Sequence, residues 1–209
     1  MSEVEGLYRV QKSDIPKAGI VLADAFQHDP IWTKLFKDEA TIDQKGTWFE
    51  SPIRYCFKYG EVYATSPHLE GIAAWVPGDL AEMTIWRLVR SGAIISGMKA
   101  MRVSNELARK QRQIFEPLEA VRKAIMKGRT YIYLVIVGVA SEFQGQGFGS
   151  KLLRTLIEES ERAELPIYLE TETERNVCMY ERLGFKLVDQ ISLPIIDVPL
   201  WEMMREPSS

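Results

Sequence analysis

Apolar residues in this chain gather in about seven short runs of strand length, and longer stretches with helical spacing separate them. The run at 131–139 is apolar almost throughout, which is typical of a central strand that is buried on both faces. This pattern predicts an α/β (α+β) fold in which helices flank a sheet of about seven strands. The predicted strands are 8–10, 61–65, 71–76, 131–139, 167–170, 185–189 and 198–203.

The longest stretch without a strand signal runs from 80 to 127. Leucine, isoleucine, methionine and arginine recur there at helical spacing, which predicts two or three helices. Gly92 and Gly97 are expected to interrupt the first of them. The sequence therefore predicts a helical insert between the third and fourth strands.

Composition and charge mainly exclude classes of partner. The 209-residue chain has a formal net charge of −3, so it lacks the basic excess that binds nucleic-acid phosphates. No run approaches the ~20 apolar residues that cross a bilayer, and the first residues lack a signal-peptide pattern. We therefore expect a cytoplasmic protein with neither nucleic acid nor a membrane as its partner.

The cysteines and histidines are not spaced as metal ligands. Cys56 and Cys178 are far apart in the sequence, and so are His28 and His68. We predict no metal site and two free thiols rather than a disulfide. Cys178 has no neighbouring histidine to activate it, and we expect it in the core.

The most distinctive motif is the glycine-rich segment 144–149, which joins the buried strand to a helix. Glycine allows tight turns and a close approach to a ligand. The first N–H groups of a helix have no partner within it and lie at the positive end of its dipole, so a pyrophosphate fits there. The order Ser150-Lys151 argues against a Walker A loop. A glycine-rich turn without a ligand stays open as the alternative.

Three segments in a fixed order resemble the GNAT acetyltransferase superfamily. They are 137–140, 144–149 and 180–185, and the resemblance covers roughly residues 130–190. The C-terminal half is most similar to the group of puromycin N-acetyltransferase. The N-terminal and insert segments match that group poorly, so puromycin is not carried over as the substrate.

The resemblance implies a GNAT-like fold, with a mixed twisted sheet of about seven strands and a helical insertion between strands 3 and 4. It implies one acetyltransferase domain over 1–209, with the insert at about 80–127 and the cofactor core at about 130–190. The expected co-substrate is acetyl-CoA, without a metal.

The resemblance also implies roles for individual residues. The main chain of 137–139 would pair with pantetheine, and the N–H of Val139 would stabilise the oxyanion. Tyr180 would protonate the departing thiolate. Asn176 would form a hydrogen bond with the coenzyme or with a water molecule, or else cap its helix. The predicted cofactor-binding residues are Val137, Gly138, Val139, Gln144, Gly145, Gln146, Gly147, Phe148, Gly149, Ser150, Asn176 and Tyr180.

A protonated amine must lose a proton before it attacks, and this needs a base. Glu170 at the end of its strand is our candidate, with Glu172 as the second choice. The alternative is a solvated acidic loop, since three acids fall within 170–174. Many family members carry the acid on the strand before the glycine loop, where this chain has Tyr131 and Tyr133 instead. The predicted catalytic residues are Tyr180, Glu170 and Val139.

These features predict acetyl transfer to a primary amine, most simply of a small molecule, by direct attack in a ternary complex. A protein N-terminus or lysine is the alternative acceptor. A non-catalytic sensor of acyl-CoA is the alternative from another class. The sequence leaves open whether the chain forms a homodimer.

Overall fold

A seven-stranded sheet forms the centre of the molecule. Its strands are β1 Tyr8–Arg9, β2 Glu61–Ala64, β3 Gly71–Pro77, β4 Ile132–Val139, β5 Ile167–Thr171, β6 Lys186–Leu193 and β7 Val198–Arg205. The computed structural model describes residues 6–35, 41–103, 105–193 and 195–208, with no side chains described for 99–112. The strand order is β1-β2-β3-β4-β5-β7-β6. Among the paired strands described, only β4 and β5 run parallel.

Helices flank this sheet and confirm the predicted fold class. They are α1 Ile15–Ala25, α2 Pro30–Leu35, α3 Ile42–Tyr59, α4 Ile85–Ser91, α5 Ala93–Val103, α6 Asn105–Ile125, α7 Phe148–Ala163 and α8 Glu174–Arg182. Helices α4 to α6 lie between β3 and β4, where the sequence predicts the insert. The limits of the domain and of its insert stay predictions. They include residues outside those described, namely 1–5, 36–40, 104, 194 and 209.

The two faces of the sheet carry separate apolar clusters. On one face, α7 and α8 pack through Leu152, Leu156 and Tyr180 against Leu134 and Leu169 of the sheet. On the other face lie α1, α3 and the end of α6, whose Ile114 and Leu118 join that core. A site in the plane of the sheet is therefore covered from both sides.

Close backbone approach explains how α1 reaches the sheet. A Cβ on Gly138 of β4 would lie only 2.9 Å from Cδ2 of Leu22 and 3.0 Å from Cβ of Ala25, both on α1. Gly19 of α1 likewise meets α3, where an added Cβ would lie 2.5 Å from the carbonyl oxygen of Gly46. These glycines let α1 pack tightly between α3 and β4.

One side-chain placement differs from the one that the sequence predicts. Cys178 is exposed on α8, so its prediction as a core residue is wrong; Cys56 is the buried cysteine, and both are free. Cys178 lies on a short helix, where periodicity is a weak guide to the buried face.

Candidate active site

The parallel strands β4 and β5 stay together only at their beginnings. Their pairing covers Ile132 with Ile167 and Tyr133 with Tyr168, and no later pair follows among the described residues. On its other side, β4 pairs with β3 along its whole length. The later part of β4 therefore presents a main-chain edge to an opening in the sheet.

The register shows which main-chain groups face this opening. The N–H of Gly71 donates to Oγ1 of Thr65, and its carbonyl accepts from the N–H of Thr65, so Gly71 faces β2. Because Gly71 is the partner of Val139, these two residues exchange no ladder bonds. The N–H of Val139 is thus turned toward the β5 side, and by alternation so is that of Val137. The main chain of Gly138 faces β3 instead.

A bulge in β4 lies just before this edge. Ala74 of β3 pairs with Ile136, whereas the next residue, Trp75, pairs with Leu134. Val135 is therefore the extra residue, and the strand bends there. The bulge thus lies just after the last pair that β4 makes with β5, Tyr133 with Tyr168.

The glycine-rich segment follows β4 and opens α7. Gly145 and Gly147 have φ angles of +77° and +87°, in the left-handed region where other residues are strained. A Cβ built on either residue would meet no atom within 4 Å. Gly147 is the N-cap of α7. The first N–H groups of α7 thus lie beside open space, which fits a diphosphate.

Side chains of the loop hold its shape. The Gln144 amide donates to the carbonyl oxygen of Val139 at 3.1 Å, and the Gln146 amide donates to that of Glu142 at 3.0 Å. Nζ of Lys151 donates to the carbonyl oxygen of Thr65 at 3.2 Å. Both glutamine side chains are therefore used to brace the loop, which leaves ligand contact to the main chain.

Tyr180 lies on α8, in the apolar cluster on the α7 side of the sheet, against which Val137 at the opening also packs. Its ring packs edge-on against Phe185, with centroids 5.4 Å apart, and the residue is 5% exposed. Burial raises the pKa of the Tyr180 phenol, and the charge of Glu172 raises it further. The phenol is protonated at neutral pH, as a proton donor must be.

Glu170 lies on β5 and faces the opposite side of the sheet. Nη1 of Arg122 lies 3.4 Å from Oε1 of Glu170, and the two side chains are 6% and 9% exposed. The guanidinium carbon of Arg122 also lies 4.3 Å from the ring centroid of Tyr133. Burial raises the pKa of Glu170, while Arg122 and a hydrogen bond from Tyr133 act in the opposite direction.

Further carboxylates surround Glu170. Glu202 of β7 is its register partner, is fully buried, and accepts a hydrogen bond from the hydroxyl of Tyr168. Glu172 follows β5, and burial together with the charges of Asp29 and Glu170 raises its pKa well above the usual range. Asp29 accepts hydrogen bonds from the N–H groups of Ile31 and Trp32. Acids from three parts of the chain thus meet at the end of β5.

Comparison with known proteins decides the family. The model of the GNAT acetyltransferase domain matches residues 92–187. An uncharacterised N-acetyltransferase of Schizosaccharomyces pombe is 32% identical over an alignment of 222 residues, gaps included. The alignment covers 96% of this chain and 83% of that protein. The chain belongs to the GNAT superfamily of acetyltransferases. It is accordingly an acyltransferase of the N-acetyltransferase type.

Solved structures share the GNAT fold over nearly the whole chain. An acetyltransferase from Corynebacterium glutamicum, described as HPA2 histone acetyltransferase and related, has a TM-score of 0.65 at 21% identity, covering 97% of this chain and 96% of that one. The yncA protein of Salmonella typhimurium, solved with its cofactor acetyl-CoA, has a TM-score of 0.53 at 16% identity, covering 97% and 94%. At these identities the likeness concerns the fold alone.

Most of the site residues predicted for this GNAT chain lie around one opening. The loop 144–150 and the main chain of Val137 and Val139 border it, and Tyr180 and Glu170 lie on its two faces. Gly138 differs, because it faces β3 and packs on α1. Asn176 lies in the first turn of α8, where Oγ1 of Thr173 accepts from its N–H at 3.2 Å. Their roles toward the coenzyme stay predictions.

Sequence reasoning missed three residues of this GNAT site, namely Arg122, Asp29 and Glu202. None of the three lies within residues 130–190, which carry the resemblance, and Arg122 is 48 residues from its partner Glu170. A single arginine in a long amphipathic helix carries no local signal of burial. Only the assembled sheet brings these residues together.

Two features are absent from the described part of the chain. No helix there is long and apolar enough to cross a membrane. The same residues contain no group of three or more His, Cys, Asp or Glu side chains that could hold a metal ion.

Proposed function

We propose that this enzyme transfers the acetyl group of acetyl-CoA to a primary amine of a small molecule, by direct attack in a ternary complex. The observation that carries the proposal is the position of Tyr180 and Glu170 on opposite faces of the sheet, beside one opening between β4 and β5. An acid on the thiol side and a base on the amine side are the two proton-transfer groups that this reaction needs.

The coenzyme is assigned to the glycine loop and the free edge of β4. Main-chain N–H groups of residues 145–150 would hold its diphosphate, and Val137 and Val139 would pair with pantetheine. The thioester carbonyl would then lie where the N–H of Val139 can stabilise negative charge. Left-handed glycines with open space at the Cβ positions support this assignment, because side chains there would fill the cradle.

Glu170 is the proposed base. Burial favours its neutral form and so raises its pKa toward the working range of a base, while Arg122 keeps the ionised form accessible. It would remove the proton from the ammonium nitrogen, directly or through water. Glu172 is the second candidate, since it lies at the rim of the same cluster and within electrostatic range of Tyr180.

Direct attack is preferred because neither cysteine of the described residues lies beside these groups as an activated nucleophile. Among the described residues, Cys56 is buried and its pKa is raised by burial, while Cys178 is exposed on α8. A ping-pong route needs an activated nucleophile beside the thioester. The two cysteines do not meet that requirement.

The insert supports a small acceptor. Ile114 and Leu118 of α6 pack into the core, and Arg122 reaches the sheet beside Glu170. A helix over this face would favour an enclosed acceptor pocket over an open groove. We also propose that residues 1–209 act as one acetyltransferase domain, with the insert at about 80–127 and the cofactor core at about 130–190.

An assay of thiol release tests the function. The enzyme is incubated with acetyl-CoA and an acceptor. In one set the acceptors are small primary amines, and in a parallel set they are peptides that carry free N-termini and lysines. The proposal predicts coenzyme A release with small amines, and loss of that release in Glu170→Gln. Release with peptides alone would support a protein acetyltransferase. Tight binding of acetyl-CoA without turnover on either panel would support a sensor.

A further inference from the structure

The side chain of Arg122 reaches the sheet from the last turns of α6. Its Nη1 contacts Glu170, its Nη2 donates to the carbonyl oxygen of Ala81 at 3.4 Å, and its guanidinium lies over the ring of Tyr133. The adjacent Lys123 is 54% exposed and pairs with Glu82 and Glu119 at the surface. Of these two consecutive cations, only Arg122 is buried against the carboxylates of the site.

Glu170 and Glu202 both lie within electrostatic range of Arg122. Glu170 and Glu202 are register partners on β5 and β7, and both are withdrawn from solvent. One oxygen of Glu202 accepts from Tyr168, and its other oxygen, Oε1, is buried with no hydrogen-bond partner among the described residues. Two facing carboxylates in a poorly solvated site resist joint ionisation. The ion pair of Arg122 is made with Glu170.

We propose that Arg122 is a positioning residue that keeps the negative charge of this cluster on Glu170 and leaves Glu202 protonated. The catalytic consequence rests on the proposed function, in which Glu170 is the base. The environment of Glu202 agrees, because burial and the charge of Glu170 raise the pKa of Glu202 to about 8. The helical insert thus supplies the group that sets the protonation state of the base.

Other titratable groups around this pair must be considered. Burial raises the pKa of both Tyr133 and Tyr168 above the ordinary phenol value, so these neighbours remain neutral while Glu170 titrates. The carboxylates therefore dominate the titration, while Arg122 stays positively charged because, despite its burial, nearby Tyr133 and Glu170 raise its pKa. The groups that act on the cluster are Tyr131 before β4, Tyr133 on β4, Tyr168 on β5, Glu172 after β5, Glu202 on β7, Asp189 on β6 and Asp29 before α2.

The first test is the pH profile of kcat/KM in Arg122→Met. Removing a cation at this distance should raise the pKa of the base and so move the acidic limb to higher pH by about 1–3 units. The rate should recover on the alkaline side. Arg122→Lys keeps the charge and should shift the limb less. Lys123→Met is the matched control and should leave the profile unchanged. A uniform loss of rate at every pH, without a shift of the limb, would overturn the inference.

The second test is a carbon NMR titration of glutamate carboxyls, with signals assigned through Glu170→Gln and Glu202→Gln. In Arg122→Met, Glu170 should titrate at higher pH than in the wild type; an unchanged titration overturns the inference. If Glu170 shifts but Glu170→Gln remains fully active, the inference stands and the assigned base is wrong. Should Arg122→Met not fold, Arg122→Gln, which keeps a donor but loses the charge, takes its place in both tests.

Discussion

Asp24 near the end of α1 accepts two hydrogen bonds from Ser141, one from its N–H at 2.6 Å and one from its hydroxyl at 3.1 Å. Ser141 begins the connection from β4 to the glycine loop. The packing of α1 against β4 is therefore linked directly to the segment that we assign to the coenzyme. A carboxylate at this place fixes where the loop starts.

The first prediction concerns this link. Asp24→Ala should raise the Kd for acetyl-CoA about 5–10-fold, as expected for the loss of about 1 kcal/mol of charge-assisted hydrogen bonding. Isothermal titration calorimetry measures this Kd. Asp14→Ala is the matched control, because Asp14 also accepts from one N–H and one hydroxyl, those of Gln11 and Tyr8, but far from the loop. Equal affinities in both variants would contradict the link.

The second prediction concerns the glycine cradle. Gly147→Val and Gly128→Val both place a branched side chain at a positive φ with open surroundings, so each should cost about 1–2 kcal/mol of stability. Only Gly147→Val should also weaken acetyl-CoA binding, because its side chain would fill the space assigned to the diphosphate; we expect a loss of about 10-fold or more, which corresponds to about 1.4 kcal/mol. Thermal unfolding and calorimetry separate the two effects. An unaltered affinity in Gly147→Val would remove the loop assignment.

The third prediction tests Tyr180 as the acid. Tyr180→Phe should lower kcat about 100-fold and leave the Kd for acetyl-CoA nearly unchanged, because the hydroxyl acts on the departing thiolate. Tyr63→Phe is the control, since Tyr63 is also buried but stacks on Trp75 of β3. If Tyr180→Phe and Tyr63→Phe turn over at equal rates, Tyr180 is not the acid.

The fourth prediction tests Glu170 as the base. Glu170→Gln should lower kcat/KM about 100-fold and abolish the acidic limb of its pH profile. Glu159→Gln provides the comparison, because burial also raises the pKa of Glu159, which lies on α7 away from the opening. Retention of the acidic limb in Glu170→Gln, together with its loss in Glu172→Gln, would transfer the role to Glu172.

The fifth prediction concerns stability and pH. The pKa of Glu202 is about 8 in the folded protein, above its ordinary value of 4.5, so its proton is bound more tightly in the native state. Its contribution to stability is complete below the unfolded pKa and is lost as the pH rises toward 8, at about 1.4 kcal/mol per unit. Glu202→Gln should flatten this part of the stability curve. Unfolding in urea across that range measures it, and equal slopes in both proteins would contradict the assignment.

Much of this architecture follows from local signals in the sequence. The apolar run of β4, the glycines after it and the apolar face of α7 are consecutive, so each signal supports the next. The left-handed Gly147 is a position where glycine is favoured over all other residues, and such positions can be predicted. These features lead from the sequence to the coenzyme loop without knowledge of distant contacts.

The acceptor side was less predictable for physical reasons. The bulge at Val135 arises in a run of valine and isoleucine that carries no turn residue. The contact of Arg122 with Glu170 depends on how α6 crosses the sheet, which no local pattern specifies. Glu202 was expected only as part of a strand, and its burial follows from the strand order β5-β7-β6.

The crystal structure of the complex with coenzyme A measures the central claim most directly. We expect its diphosphate on the main-chain N–H groups of residues 145–150, its pantetheine along Val137 and Val139, and its sulfur near the hydroxyl of Tyr180. Coenzyme bound at any other surface, with the opening between β4 and β5 empty, would contradict the account.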